Sequence, residues 1–105
     1  MIRLSYAGGS LDTGDDIAAA VLDYAAALAN HGRADTIHVP ALDLPAGFST
    51  VELLVGPASQ LVGRPIEATD AAPDGAELIA DLLERTRKLE QRWIPPQSSI
   101  SDWEL

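Results

Sequence analysis

The N-terminal third of the chain constrains the fold more than any other part. Ile2, Leu4 and Tyr6 alternate with polar residues, which is typical of a half-buried strand. After a glycine doublet, an alanine-rich helix is predicted over residues 14–31 and a second strand over 36–41. A strand, a helix and a strand in this order predict a helix packed on a sheet. Because such crossovers are right-handed, we expect the first and second strands to be parallel.

Further strands and one more helix complete the predicted fold. Residues 50–55 alternate as residues 36–41 do, and the turn-rich connection between them predicts an antiparallel hairpin. A short strand within 58–70 would be confined to a sheet edge by Pro65. A second amphipathic helix is predicted over 74–93. We therefore expect an α+β two-layer sandwich in β-α-β-β-α order, with two helices on one face of a small mixed sheet of three to four strands.

The length of 105 residues allows one domain. We predict a single compact α+β domain over 1–93 and an extended C-terminal arm over 94–105, because Pro95 and Pro96 end the second helix. The arm contains Trp103, and an apolar side chain of this size favours docking over free exposure.

The composition excludes several classes of function. Sixteen acidic residues against seven Lys and Arg give a net charge of −9, which repels nucleic acid. There is no cysteine, so disulfides and thiol catalysis are excluded and a reducing compartment is favoured. The sequence predicts no secretory signal and no membrane span. We expect an acidic cytoplasmic protein with neither nucleic acid nor membrane as a partner.

The turn before the first helix is the best candidate for a ligand site, because a helix N-terminus presents free N–H groups. Asp12, Asp15 and Asp16 resemble a hard-cation cluster, but carboxylates are also preferred at any helix N-terminus. Thr13 and Asp16 have the spacing of a capping box. No dinucleotide or phosphate-loop spacing is present, and no cofactor is expected. The candidate ligand-binding residues are Gly8, Gly9, Ser10, Asp12, Thr13, Asp15 and Asp16.

A second candidate site lies on the predicted outer face of the sheet, where Arg3, Ser5, His38 and Glu52 would project together. A histidine beside a carboxylate and a hydroxyl can perform acid–base chemistry. The alternative is that these four residues are ordinary solvent-exposed side chains of a sheet, with Arg3 and Glu52 as a cross-strand pair. Two histidines are too few for a histidine-rich zinc site, so no metal site is predicted.

No motif identifies a reaction, and two classes of function remain open, so whether the protein is an enzyme is undecided. The favoured class is a self-associating interaction or accessory protein, most simply a homodimer. Its supporting features are the apolar C-terminal arm and the alanine face of the first helix, where the second helix should leave Ala19 and Ala26 uncovered. The alternative is a small-molecule or divalent-cation binding protein or enzyme with its site at loop 8–16.

Overall fold

The computed structural model describes residues 1–43, 47–67 and 72–92, and these residues form an α+β fold. The predicted fold class is confirmed, whereas the predicted arm over 94–105 lies outside the described residues. In chain order the elements are β1 (Ile2–Tyr6), β2 (Gly9–Thr13), α1 (Asp15–Asn30), β3 (Asp35–Asp43), β4 (Gly47–Val55), β5 (Val62–Pro65) and α2 (Ala76–Arg92).

An N-terminal hairpin is the main difference from the predicted element order. The chain turns back at Gly8, whose φ of 87° favours glycine, and β2 pairs antiparallel with β1 along its whole length. Residues 9–13 were predicted as part of a loop because Leu11 is their only large apolar residue, which is too little to reveal an alternating pattern. The order is therefore β-β-α-β-β-β-α rather than β-α-β-β-α.

β1 is the central strand of a three-stranded sheet in the order β2-β1-β5. Both of its neighbours are antiparallel to it, and both of its edges are occupied. β1 therefore does not form the parallel pair with β3 that the crossover rule led us to expect. All the strand pairs in the described part of the chain are antiparallel, so the sheet is not mixed. The short edge strand predicted within 58–70 is confirmed as β5, which ends at Pro65.

The predicted hairpin of β3 and β4 is confirmed and forms a separate two-stranded sheet. Its register runs without interruption from Asp35↔Val55 to Asp43↔Gly47. Alternate residues face the core, as the sequence pattern indicated. The fully or nearly buried members of this inner set are Ile37, Val39, Ala41, Leu53 and Val55.

The first helix buries an apolar stripe of Ile17, Val21, Tyr24 and Leu28, whose spacing of three and four residues is that of one helix face. It begins after Gly14, and the predicted capping box does not form, because the N-cap residue is this glycine and the Thr13 hydroxyl donates to the carbonyl of Pro40 instead. The helix ends at Asn30, within one residue of the predicted end; His31 is its C-cap residue, and Gly32 follows in the left-handed region.

The second helix packs against α1 and closes the core. Leu82 and Leu89 are buried, and the Asp74 carboxylate accepts a hydrogen bond from the Ala76 N–H at the start of the helix. A Cβ at Gly75 would overlap the side chain of Ile17, so a glycine is needed at this close approach. Among the described residues, no helix combines the length and apolarity needed to cross a membrane.

Thr13 connects the two sheets. Its side chain is fully buried, and its hydroxyl donates a 2.8 Å hydrogen bond to the carbonyl of Pro40 in β3. Proline has no N–H, so at this residue β3 offers β2 only an acceptor. The Pro40 carbonyl accepts its hydrogen bond from the Thr13 side chain and not from a backbone N–H of β2. This is consistent with β2 and β3 being neighbours that belong to separate sheets.

We predict that Thr13→Val lowers the free energy of unfolding by about 1–3 kcal/mol, because the half-buried Pro40 carbonyl loses its donor while the side-chain shape is kept. Chemical denaturation measures the change. Thr36→Val, at an exposed position of β3, is the matched control and should be near neutral. Equal losses in the two variants would contradict a joining role for Thr13.

Candidate interaction surface

Alternate residues of β3 direct their backbone groups away from β4. Pro40 has no N–H, and its carbonyl is bonded to Thr13. The N–H of Thr36 donates to the Asp35 carboxylate, and its carbonyl accepts a 3.4 Å hydrogen bond from Arg85. In an antiparallel ladder, residues that exchange both bonds with the partner strand alternate with residues that exchange none. The even-numbered residues of β3 therefore belong to the second kind.

The same alternation sets the outer edge of β4. Thr36 and Pro40 lie opposite Leu54 and Thr50, so these residues of β4 also direct their N–H and C=O groups away from β3. The Leu54 carbonyl accepts a 3.4 Å hydrogen bond from the Ser59 hydroxyl, which agrees with this orientation. Within the described residues, β4 pairs with no strand other than β3. We call the outward-facing backbone groups of Phe48, Thr50 and Glu52 the β4 edge.

Apolar side chains accompany this edge on the outer face of the hairpin. Phe48 is 45% exposed and Leu54 is 71% exposed, although both are large hydrophobic residues. The alternating inner residues Leu53 and Val55 are buried in the core. The outer residues of β4 thus combine backbone groups that have no strand partner in the described part of the chain with exposed apolar area.

The structure divides the four predicted outer-face residues between the two sheets. His38 and Glu52 are opposite each other in β3 and β4, with 3.5 Å between Nε2 and Oε2, and both side chains are well exposed. Arg3 instead pairs with Asp12, 2.7 Å away on β2, so the expected Arg3–Glu52 pair does not form. The guanidinium hydrogen bond holds the pKa of Asp12 below its ordinary value.

Ser5 and Glu52 nevertheless line one cleft, of about 720 Å³. Its remaining walls come from the end of β1 and from residues 58–62, and Leu54 and Val62 supply exposed apolar area. A histidine does not line this cleft, so the acid–base grouping considered from the sequence is not assembled in it. The cleft extends the apolar outer surface of β4 toward β1.

The carboxylates of the predicted ligand loop have separate partners. Asp12 binds Arg3, Asp15 lies 2.8 Å from the amino group of Met1, and the Asp16 carboxylate accepts the N–H of the next residue. Gly8 forms the hairpin turn, and Gly9, Ser10 and Thr13 belong to β2. Across the described residues, no three His, Cys, Asp or Glu side chains are grouped so as to hold a metal. Ligand binding by this loop stays a prediction.

A cluster of Tyr24, Asp35 and Arg85 was not predicted. The Tyr24 hydroxyl donates to the Asp35 carboxylate, and the guanidinium of Arg85 lies 2.8 Å from the same oxygen. Arg85 also lies 3.0 Å from Asp81 within α2. The cluster ties α2 to α1 and to the start of β3. The signal that could have found it is the buried tyrosine itself, since a buried phenol usually has a hydrogen-bond partner.

The cluster changes the acidity of its members. Burial, together with the Asp35 carboxylate, raises the pKa of Tyr24 to about 12. Burial alone would raise the pKa of Asp35, but hydrogen bonds from Tyr24, the Thr36 backbone and Arg85 outweigh it and hold that pKa below its ordinary value. Arg33 and Lys88 line an adjacent cleft of about 410 Å³. The pairing of Asp35 with two donors gives this cluster a structural role in holding the layers together.

Comparison with protein-family models, with curated proteins and with solved structures finds no match to this chain. Similarity therefore assigns no function to the chain.

The Asp35 cluster predicts a specific dependence of stability on pH. Because the folded-state pKa of Asp35 lies below the unfolded value of about 3.9, its contribution is present above that pH and is lost as the pH falls through the folded-state pKa. Asp35→Asn should therefore lower the melting temperature at neutral pH. The further decrease in melting temperature on acidification should be smaller in this variant than in the wild type.

Thermal unfolding at a series of pH values measures both effects. Asp43→Asn, at an exposed position of the same strand, is the control and should leave the melting temperature at neutral pH unchanged. If wild type and Asp35→Asn lost stability in parallel down to the most acidic pH, the cluster would not be the source of the dependence.

Proposed function

We propose that the protein is a self-associating interaction protein that forms a homodimer through the β4 edge. Two copies of β4 would pair antiparallel, joining their hairpins into a four-stranded sheet in the order β3-β4-β4-β3. The observation that carries the proposal is a nine-residue strand whose outward backbone groups have no strand partner among the described residues and whose outer side chains include Phe48 and Leu54.

The contrast between the two edge strands supports this choice. Exposed strand edges tend to pair with other strands, and natural proteins protect them by short length, by charged side chains or by proline. β5 has these protections, since it is four residues long and includes Arg64 and Pro65. β4 is long, has no proline or lysine, and carries one charged residue, Glu52, which lies beside His38.

The alanine face of α1 is the competing surface. Ala19 and Ala26 are exposed, as predicted, and small side chains allow helices to approach closely. However, the exposed carboxylates of Asp16 and Asp23 lie on the same helix, and Asp16, Ala19 and Asp23 line one cleft between α1 and α2. A two-fold axis through this surface would bring like charges together, so we favour the β4 edge.

Location and other partners follow from composition. The absence of cysteine fits a reducing compartment, and we propose the cytoplasm. The net charge of −9 disfavours nucleic acid as a partner. An accessory role, in which the dimer presents two copies of one surface to another protein, would follow from the same assembly.

Light scattering coupled to size exclusion tests the proposal at tens of micromolar protein. We expect a mass about twice the 11.1 kDa of one chain. Thr50→Pro should give the mass of one chain with an unchanged circular dichroism spectrum, because it removes an outward N–H and leaves the β3–β4 bonds intact. Thr50→Ala keeps the N–H and is the matched control, which should remain dimeric.

Two results would contradict the proposal. Wild-type protein with the mass of one chain would exclude self-association at this concentration. A dimer that survives Thr50→Pro but is dissociated by Ala26→Glu would place the interface on α1 instead of β4.

A further inference from the structure

We infer that the two-fold axis of the dimer passes beside Thr50, so that Thr50 pairs directly with Thr50 of the second copy. This inference rests on the proposed function, since it specifies the register in which two β4 strands meet. It follows from which backbone groups face outward, which of them already have a partner, and where the charge lies.

The outward-facing residues limit the possible registers. A strand that pairs antiparallel with its own copy exchanges hydrogen bonds only between residues whose N–H and C=O groups face outward. With the axis at Thr50, Phe48 lies opposite Glu52 of the second copy, and Thr50 lies opposite its own equivalent. Every residue of the β4 edge then exchanges hydrogen bonds with the second copy.

The two neighbouring registers are less favourable, for different reasons. An axis at Val51 would pair Phe48 with Leu54, whose carbonyl already accepts the Ser59 hydroxyl. An axis at Ser49 would engage only Phe48 and Thr50 with each other. The axis at Ser49 therefore leaves Glu52 outside the described pairing. The axis at Val51 engages Phe48, Thr50 and Glu52, but it sets Phe48 against a carbonyl that is already hydrogen-bonded and places the two Glu52 residues only two positions, or about 7 Å, out of line.

Charge disfavours an axis at Glu52 and favours the one proposed. An axis at Glu52 would place two carboxylates directly opposite each other, which destabilises a strand pair. With the axis at Thr50, the two Glu52 residues are four positions out of line, or about 14 Å apart at roughly 3.4 Å per residue. Each can keep its contact with His38 of its own copy. The two threonines meet at the centre, and threonine pairs across strands are favourable.

Single cysteines can test this register, because the chain has none of its own. Directly opposed residues that exchange hydrogen bonds have Cα atoms about 5.5 Å apart, within the range of a disulfide. We expect Thr50→Cys to form a covalent dimer in an oxidising glutathione buffer, visible on a non-reducing gel and lost on reduction. Phe48→Cys and Glu52→Cys should each remain uncrosslinked alone and should form a covalent dimer when the two variants are mixed.

The outcomes separate the register from the dimer itself. If light scattering shows a dimer but Glu52→Cys cross-links alone, or if mixing Phe48→Cys with Glu52→Cys gives no covalent dimer, the register is wrong while self-association stands. If the protein has the mass of one chain and Thr50→Cys does not cross-link, both the register and the proposed function are overturned.

Discussion

The hydrogen bond from the buried Thr13 hydroxyl to the Pro40 carbonyl is the contact on which the arrangement of the strands depends. It joins the N-terminal sheet to the β3–β4 hairpin at a residue that has no N–H to offer. It also shows which backbone edge of β3 faces β2, and the regular register of the hairpin carries that alternation to β4. The outward edge of β4 is thus a consequence of how β3 meets β2.

The same period of two determines the chemistry of the two faces. Residues of β4 that turn their backbone groups outward also place their side chains on the outer face, while the intervening residues enter the core. Exposed Phe48 and Leu54 therefore lie on the edge whose backbone groups have no strand partner among the described residues, although the Leu54 carbonyl accepts the Ser59 hydroxyl. A partner strand could satisfy the backbone groups and cover apolar area in one step, whereas the alanine surface of α1 offers only close packing among carboxylates.

Much of the fold follows from local sequence patterns. The β3–β4 hairpin, the core stripe of α1 and the edge strand ending at Pro65 were predictable because alternation, helical spacing and proline each act within a few residues. Strand β2 was not, because five residues with one large apolar side chain carry no alternating pattern. The prediction that the first and second predicted strands pair in parallel was wrong for the same reason. Strand β2, which was not predicted, occupies the edge of β1 that β3 would need.

Local sequence patterns did not predict the partners of the site residues, because those partners are distant in the sequence. Thr13 has the spacing of a capping residue, but a tertiary hydrogen bond to a residue 27 positions away takes its hydroxyl. Asp35 and Arg85 are 50 positions apart, and neither residue alone signals the pair. Arg3 and Glu52 were expected to pair because their strands were expected to be neighbours, and each finds a different partner in the folded chain.

Amide hydrogen exchange of β4 at several protein concentrations tests the central claim most directly. The amides of residues 49, 51 and 53 should be protected at every concentration, because they bond to β3. Those of 48, 50 and 52 should exchange rapidly in dilute solution and become protected as the concentration rises and the β4 edges pair. Rapid exchange of 48, 50 and 52 at all concentrations would contradict self-association through this edge, and rapid exchange of 49, 51 and 53 would contradict the assigned alternation itself.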